Sequence, residues 1–385
     1  MHLQIFVHEF EYGVGHSKAM IEVLKRIPEE KIQKLEVVCY QSDGPHEHFS
    51  HLGDKIKIHK VPGIGIKPFL LKFIFFQLYT FFFWGLKKDK SIKISMGVCT
   101  LIADIVNIQF CHFLWAKTYF KVAQLSPHKW LYKKLLFSYI IACEDYYYSQ
   151  ERLHFAFLSR FMEEEFTKRY AIEEERKMMA YSSADFSRFT VKKQSRTNLL
   201  KSLFEDYPEI SHLDPMKPIS LFAGAFERKG LPFLLPNIPK DHQLIVIGRG
   251  EAGAEFPLLK EKNFANVTFT KEIERFYQAC DLFLFPTLFE PFGLVIMEAA
   301  MCGMRILVSK RHVGATELLE GSDGIDTIDP KDPHHQWIDS PQILQSEERL
   351  KFSTQRKESL SQLSWEKCSL EWLKLFDLLV NQNRA

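Results

Sequence analysis

Three stretches of this 385-residue chain carry residue types and spacings that do chemistry. The densest is Phe285-Pro-Thr-Leu-Phe-Glu290-Pro-Phe292-Gly293-Leu294-Val-Ile-Met-Glu298-Ala-Ala-Met-Cys-Gly303, where an apolar run enters a loop, Gly293 opens a helix and Gly303 closes it. The first-turn amides of such a helix lack intrahelical acceptors and sit at the positive end of its dipole, so they form an anion site. Carboxylates beside an anion site do not serve the anion; Glu290 and Glu298, eight residues apart, suit sugar or ribose hydroxyls. Taken singly, each Glu also reads as a dipole partner and nothing more. The second stretch, Gly224-Ala-Phe-Glu-Arg228-Lys229-Gly230, follows the apolar segment 218–223. Its glycines let backbone approach a ligand, and two cations at the C-terminal edge of a strand suit phosphate oxygens. A loop with two solvated bases is the plain alternative. The third, Gly248-Arg249-Gly250-Glu-Ala-Gly253, is a literal GxGxxG after the apolar segment 244–247. It follows the second strand of its series, and no acid ends a strand about 20 residues on, which argues against a nicotinamide site.

Elements of the right kind surround these stretches. Strand-like runs occupy 3–10, 34–40, 105–110 and 154–158, with helical periodicity over 18–26, 131–143 and 163–170. A second series of strands covers 218–223, 244–247, 267–270, 282–285 and 305–308, with a helix over 294–301. Such alternation is the mark of parallel α/β architecture. The two series join near 186–217 and read as two Rossmann-like domains with a cleft between them. The tail, 357–379, is helical in period and carries Trp365, Trp372, Leu373 and Phe376, a stripe that must pack on something.

Composition bounds the function. Hydrophobic residues make up 46% and charged residues 25%, and the net charge is +2, which argues against a disordered chain and a dedicated nucleic-acid binder. The seven Cys are scattered with no CxxC, so neither a disulfide framework nor a zinc site is indicated and a reducing cytoplasm fits. The N-terminus reads as a first strand rather than a secretion signal. Residues 68–86 (PFLLKFIFFQLYTFFFWGL) are almost wholly apolar, broken by Lys72 and Gln77. They read either as a half-buried helix or as one that rests on a membrane surface; a transmembrane span is the weakest reading. Residues 51–143 hold fourteen Lys, no Arg and three Asp, a local excess that suits an anionic surface or acceptor, or a solvated basic face.

Taken together, the three stretches have a familiar pattern. Gly224 to Gly230, then Gly248-Arg249-Gly250, then Glu290 to Glu298 ahead of Ala299-Ala-Met-Cys-Gly303 resemble, in order and spacing, the retaining nucleotide-sugar glycosyltransferases of family 4. The resemblance covers roughly 215–320 and is looser before it. It implies that Arg228 and Lys229 neutralise the donor diphosphate and that Glu298 binds the ribose. It further implies that Glu290 contacts the donor sugar, with the amides of Phe292, Gly293 and Leu294 beside sugar and phosphates. Gly248, Arg249 and Thr270 would border the base. In the first half the family's Gly-Gly loop would fall at Glu11-Tyr12-Gly13-Val14-Gly15-His16, where Tyr12 replaces one Gly and Gly13 and Gly15 remain. His112 stands where the family places a His facing the sugar. Asp185 resembles a turn leading into the linker and reads as structural.

The expected fold is therefore GT-B: two Rossmann-like domains, 1–190 for the acceptor and 191–360 for the nucleotide-sugar, facing across a cleft, with a C-terminal helix, 361–385, returning to the first. The expected function is transfer of a hexosyl group, most plausibly from a UDP-hexose, to a glycan or glycolipid hydroxyl with retention, the acceptor being lipopolysaccharide or another envelope glycan. No metal or cofactor and no nucleic acid is expected, and the expected location is cytoplasmic, with peripheral contact to the anionic inner face of the membrane. The alternatives are a degenerate GT-B sugar-nucleotide binder, a GT-B epimerase or phosphorylase, and the nicotinamide enzyme.

Overall fold

The computed structural model of the chain describes residues 1–44, 48–87, 89–123, 125–239, 241–249, 263–329, 342–360 and 363–382. They fall into two compact units, Met1–Ser182 with Leu363–Ala385, and Ser183–Gln362.

The first unit contains β1 (His2–Phe6), β2 (Glu9–Phe10), β3 (Lys34–Cys39), β4 (Gln41–Ser42), β5 (Ile56–Lys60), β6 (Ile92–Met96), β7 (Ile105–Ile108), β8 (His154–Phe157) and β9 (Lys177–Met179). Seven strands form one parallel sheet ordered β5-β3-β1-β6-β7-β8-β9. Its helices are α1 (Gly15–Leu24), α2 (Phe69–Thr80), α3 (His112–Val122), α4 (Pro127–Tyr148) and α5 (Arg160–Tyr170). Leu3, Ile5, Val37, Ile94, Ile105 and Phe155 are all buried, as strands covered on both faces require.

The second unit contains β10 (Ile219–Ala223), β11 (Gln243–Ile247), β12 (Phe264–Val267), β13 (Leu282–Phe285), β14 (Arg305–Ser309) and β15 (Ile325–Ile328), again parallel and ordered β12-β11-β10-β13-β14-β15. Its helices are α6 (Arg196–Asp206), α7 (Leu231–Leu234), α8 (Ile273–Ala279), α9 (Leu294–Met301) and α10 (Ser346–Leu360). Each sheet is doubly wound, and its strand order reverses beside its first strand: β1 lies against β6, and β10 against β13. In such sheets the carboxyl ends of the strands at the reversal form the ligand crevice.

Three expectations are corrected in detail. The first strand does not run unbroken over 3–10: β1 stops at Phe6, and Glu9 and Phe10 pair with Gln41 and Ser42 in a separate small sheet. The bend between them turns His8 into the interior, against Tyr40, Phe73 and Phe76. The strand expected over 267–270 is Phe264–Val267, because Phe264, Ala265 and Val267 are the buried positions that pair with β11. The apolar stretch 68–86 becomes α2 and a following π-turn over Phe81–Gly85, half-buried. Phe73, Phe76, Gln77, Thr80 and Trp84 face inward. The buried polar groups are satisfied: Gln77 Nε2 donates to the Val98 carbonyl at 2.9 Å and Tyr139 Oη to Gln77 Oε1 at 2.6 Å.

The helix expected over 357–379 is two helices. The first is α10, in the second unit; the other, α11 (Trp365–Gln382), belongs to the first. α11 lies on α1: Ser369 Oγ donates to the Val23 carbonyl at 2.9 Å, and Arg26 pairs with Glu366 at 2.8 Å. Its Trp365, Trp372 and Phe376 are buried.

One helix of the second unit is fixed at its C-terminal end by two buried arginines of α10. Arg349 Nη1 donates to the carbonyls of Tyr277 and Cys302 at 2.8 and 3.2 Å, and its Nη2 to that of Cys280. Arg356 Nη1 donates to the carbonyls of Met304 and Ala300 at 2.6 and 3.5 Å, and Nη2 to that of Asp323 at 2.6 Å. A cation at the carbonyl end of α9 complements its dipole. Burial is the opposing cost and draws the Arg356 guanidinium down to about 10. Arg356→Leu removes the guanidinium from those carbonyls, of which that of Ala300 keeps the Gly303 amide, so the unfolding free energy should fall by about 3 kcal/mol. Urea unfolding followed by circular dichroism measures it; an unchanged midpoint would show that the contacts contribute nothing.

Candidate active site

The second unit gathers its chemistry where β10 and β13 part. The loop 224–230 leaves β10, the loop 286–292 leaves β13, and the two meet backbone to backbone. Gly230, at φ 82°, has no room for a side chain, because a Cβ would lie 1.9 Å from the Pro286 carbonyl oxygen. The loop after β11 closes in the same way: a Cβ on Gly248, at φ 138°, would lie 2.2 Å from the Gly224 carbonyl oxygen. The Phe226 amide then donates to the Arg249 carbonyl at 3.2 Å. Glycine here is a steric demand of three converging strand ends.

Lys229 is buried, its stem packed against Gly224 and its ammonium 4.7 Å from the centre of the Phe285 ring. The ammonium touches the Glu290 carboxylate. Arg228 Nη1 donates to the Phe289 carbonyl at 3.2 Å and to Glu290 Oε2 at 3.4 Å. Thr287 Oγ1 and the Leu288 amide in turn hold the Arg228 carbonyl at 3.2 and 3.1 Å. Arg228, Lys229 and Glu290 are thus one ionic cluster. Burial and the adjacent guanidinium push the Lys229 ammonium well below its ordinary value, and burial draws Arg228 down to about 10. The Glu290 carboxylate supplies the compensating charge.

A segment that the sequence reading did not single out holds Glu290 in place. Glu290 bridges to Val313; its amide donates to the His312 carbonyl at 2.8 Å, and the Gly314 amide returns a bond to its carbonyl at 3.1 Å. The Ala315 amide donates to the Phe292 carbonyl at 2.7 Å. The one legible signal was position: 312–315 follows β14 on the same sheet edge, with a glycine among its residues. Gly293, at φ 105°, is the N-cap of α9, and Leu294 is its first residue. Glu298 is buried in the second turn of α9, and its charge adds to burial in raising the phenol of Tyr277 on α8.

Gly224, Arg228, Lys229, Gly248, Glu290, Phe292, Gly293 and Leu294 therefore share one sheet edge. Arg249 joins them by its backbone while its side chain is exposed. Thr270 lies three residues past β12, where its Oγ1 bonds Tyr207 Oη at 2.7 Å and caps the Glu272 amide at 2.9 Å. The remainder of the GxGxxG, 250–253, lies outside the described residues.

In the first unit His112 opens α3 directly after β7. Its ring Nδ1 lies 2.7 Å from Glu144 Oε1, and the same oxygen accepts the His112 backbone amide at 3.1 Å. His112 borders a cavity of about 280 Å³ at the β1/β6 reversal, shared with His8, His16, Lys72, Gly97 and Gln109. Burial leads in lowering both other imidazoles, His8 to about 3 and His16 to about 4. Gly13 lies in the turn before α1 and Gly15 is its first residue, each with open space where a Cβ would sit. Tyr12 is turned onto α1: its Oη donates to Glu22 at 2.7 Å and its ring stacks on His48 at 4.9 Å.

Comparison with known proteins bears on both units. Residues 217–340 match the family described as glycosyl transferases group 1. Over 161 residues the chain is 29% identical to the glycogen synthase of Streptococcus pneumoniae (strain JJA), a match covering 37% of this chain and 33% of that protein. The chain thus spans about a third of the length of such curated relatives. Among solved structures it is similar to WaaG, a glycosyltransferase involved in lipopolysaccharide biosynthesis, with a TM-score of 0.64, 15% identity, and coverage of 95% of this chain and 94% of that one. It is also similar to Anabaena Alr3699/HepE, solved with UDP and glucose, with a TM-score of 0.59, 14% identity, and coverage of 98% and 99%. The fold is that of the GT-B glycosyltransferases, and residues 217–340 match the glycosyl transferases group 1 family.

Proposed function

We propose that the chain is a retaining glycosyltransferase of family 4 that moves a hexosyl group from a UDP-hexose to a hydroxyl of a glycan or glycolipid, with a lipopolysaccharide-type or other envelope glycan as acceptor. The observation that carries this reading is the convergence of Arg228, Lys229 and the N-terminus of α9 on one strand edge. Two cations and the positive end of a helix there suit a diphosphate. On this reading the donor diphosphate replaces Glu290 as the counter-anion of Lys229 and Arg228, which releases the Glu290 carboxylate to accept hydroxyls of the donor sugar. Glu298 takes the ribose. As transfer proceeds, the bond from the anomeric carbon to the leaving phosphate breaks and a bond to the acceptor oxygen forms on the same face. The acceptor's proton passes to a phosphate oxygen. Arg228, Lys229 and the α9 amides hold the charge that develops on the departing diphosphate, without a metal ion. The likeness to a protein solved with UDP and glucose supports the donor, and the likeness to WaaG supports the acceptor class.

Substitution of either cation tests the mechanism. Arg228→Ala and Lys229→Met should each lower kcat by about 10²-fold or more with the circular dichroism spectrum retained. Glu298→Gln should weaken UDP binding by about 1.5–3 kcal/mol. Activity in EDTA should equal that without it. Near-normal turnover in both cation variants, or abolition by EDTA with rescue by Mg²⁺, would overturn the reading. UDP binding with no transfer or donor hydrolysis would favour a catalytically degenerate binder.

We further propose that the first unit works at the anionic inner face of a membrane. α2 and α4 are tied together by the Leu70 amide, which donates to Tyr132 Oη at 3.2 Å. Their outer faces expose Leu78, Phe82, Phe83 and Leu86 and, on α4, Trp130, Leu131 and Leu135. Leu86, at 66% exposure, and Phe82 and Phe83, at 58%, are among the most exposed large apolar side chains described. Lys87 sits over the Trp84 ring at 4.0 Å and Lys134 over the Trp130 ring at 4.8 Å, so cations rim the apolar surface; Lys88 lies outside the described residues. Aromatic side chains with a lysine rim suit the headgroup layer of an anionic bilayer. The protein should sediment with anionic liposomes and not with neutral ones. Binding should weaken with salt and fall when Lys87, Lys90 and Lys134 become Glu. Equal behaviour towards anionic and neutral vesicles at low salt would end the proposal.

A further inference from the structure

Among the described residues of the first unit, Glu144 is the one carboxylate that solvent does not reach at all, at 0% exposure, and it lies on α4, 32 residues from the histidine it meets. Its Oε1 receives the backbone amide of His112 and faces the ring Nδ1 at 2.7 Å. Its Oε2 has no hydrogen-bond partner among the described residues. Around it stand groups that hold their protons. Burial, with the nearby Glu144 charge, raises the thiol of Cys111 and the phenols of Tyr148 and Tyr170. The hydrogen bonds to Glu144 come from His112, through its backbone amide and its ring.

An ionised carboxylate oxygen has no proton to give, so an imidazole bonded to it carries its proton on Nδ1. The opposite ring nitrogen, Nε2, is then bare, on a residue that borders the cavity shared with His8, Lys72 and Gln109. A bare Nε2 accepts a hydrogen bond from a hydroxyl; a protonated one does not. We propose that Glu144 is a positioning residue that locks His112 in the Nδ1–H tautomer and so presents Nε2 as the acceptor for a hydroxyl of a sugar bound in this cavity. The tautomer stands on the geometry alone, whereas the sugar rests on the function proposed above.

The two parts are separable by experiment. In the full-length protein labelled with ¹⁵N-histidine, long-range ¹H–¹⁵N correlation reads the tautomer of His112, assigned by the loss of its signals in His112→Gln. The neutral wild-type ring should be protonated at Nδ1. Glu144→Gln, whose amide can donate as well as accept, should shift the ring towards the Nε2–H form, and Glu144→Asp should keep the Nδ1–H form. With UDP-glucose as donor, kcat should fall about tenfold or more in Glu144→Gln, with KM for the donor within about threefold and partial recovery in Glu144→Asp. An Nε2–H ring in the wild type, or a tautomer unmoved in a folded Glu144→Gln, overturns the proposal. A tautomer that moves while transfer rates stay equal upholds the lock and overturns its part in transfer. A tautomer that moves in a protein with no transfer activity at all upholds the lock and sinks the proposed function instead.

Discussion

The contact between Lys229 and Glu290 is the constraint around which the second unit is arranged. Both residues are at or below 8% exposure, and a charge so placed is costly unless a counter-charge stands beside it. The two come from loops 62 positions apart, so meeting that need fixes the end of β10 against the end of β13. The strap 312–315 then ties Glu290 to the end of β14 through two backbone hydrogen bonds, and a third holds Phe292. Gly230 and Gly248 follow from the same convergence, since loops drawn this close leave no room for a Cβ. The pair is also exchangeable. Under the proposed function, the donor diphosphate takes over from Glu290 as the negative charge that the buried cations need.

The first unit solves a different problem at its own sheet reversal. Its cavity holds imidazoles that burial keeps neutral, His8 near 3 and His16 near 4, and a third, His112, oriented by a buried carboxylate. The neutral imidazoles of His8 and His16 suit uncharged hydroxyls, whereas the clustered cations of the second unit suit phosphate.

Much of this was legible in the chain before its structure. Continuous apolar runs such as 219–223 and 282–285 mark buried parallel strands, and both lie where the reading placed them, as does the helix Leu294–Met301. Gly224, Arg228, Lys229, Glu290 and Gly293 share an edge because their spacing follows the β-loop-α alternation. What failed was of two kinds. Local breaks were missed: the bend at His8 has no turn residue to announce it, although Ser364, whose Oγ caps the Lys367 amide at 3.4 Å, did signal a new helix start at α11. Long-range pairings were beyond reach. Nothing in a helical run over 131–143 tells that the Glu144 after it is sealed against His112, or that Glu290 will sit on Lys229 rather than apart from it.

α2 joins the two proposals about the first unit. Phe69, Lys72 and Phe73 on it border the cavity with His112, while Leu71 and Leu78 of the same helix face outward beside Phe82 and Phe83. An α-helix with its side chains is about 10 Å across. If the outer face of α2 rests in the headgroup layer, the cavity lies one helix diameter above it, within reach of a sugar carried on a lipid that never leaves the bilayer. The polar pair inside α2 then has a reason to be there. Gln77 binds Val98 and Tyr139, and Thr80 binds Thr100 at 2.7 Å, so an almost wholly apolar helix is held in one rotation about its axis. Hydrophobic contacts alone would let such a helix turn, because it is apolar on every side. The buried hydrogen bonds choose which aromatics face the cavity and which are left outside.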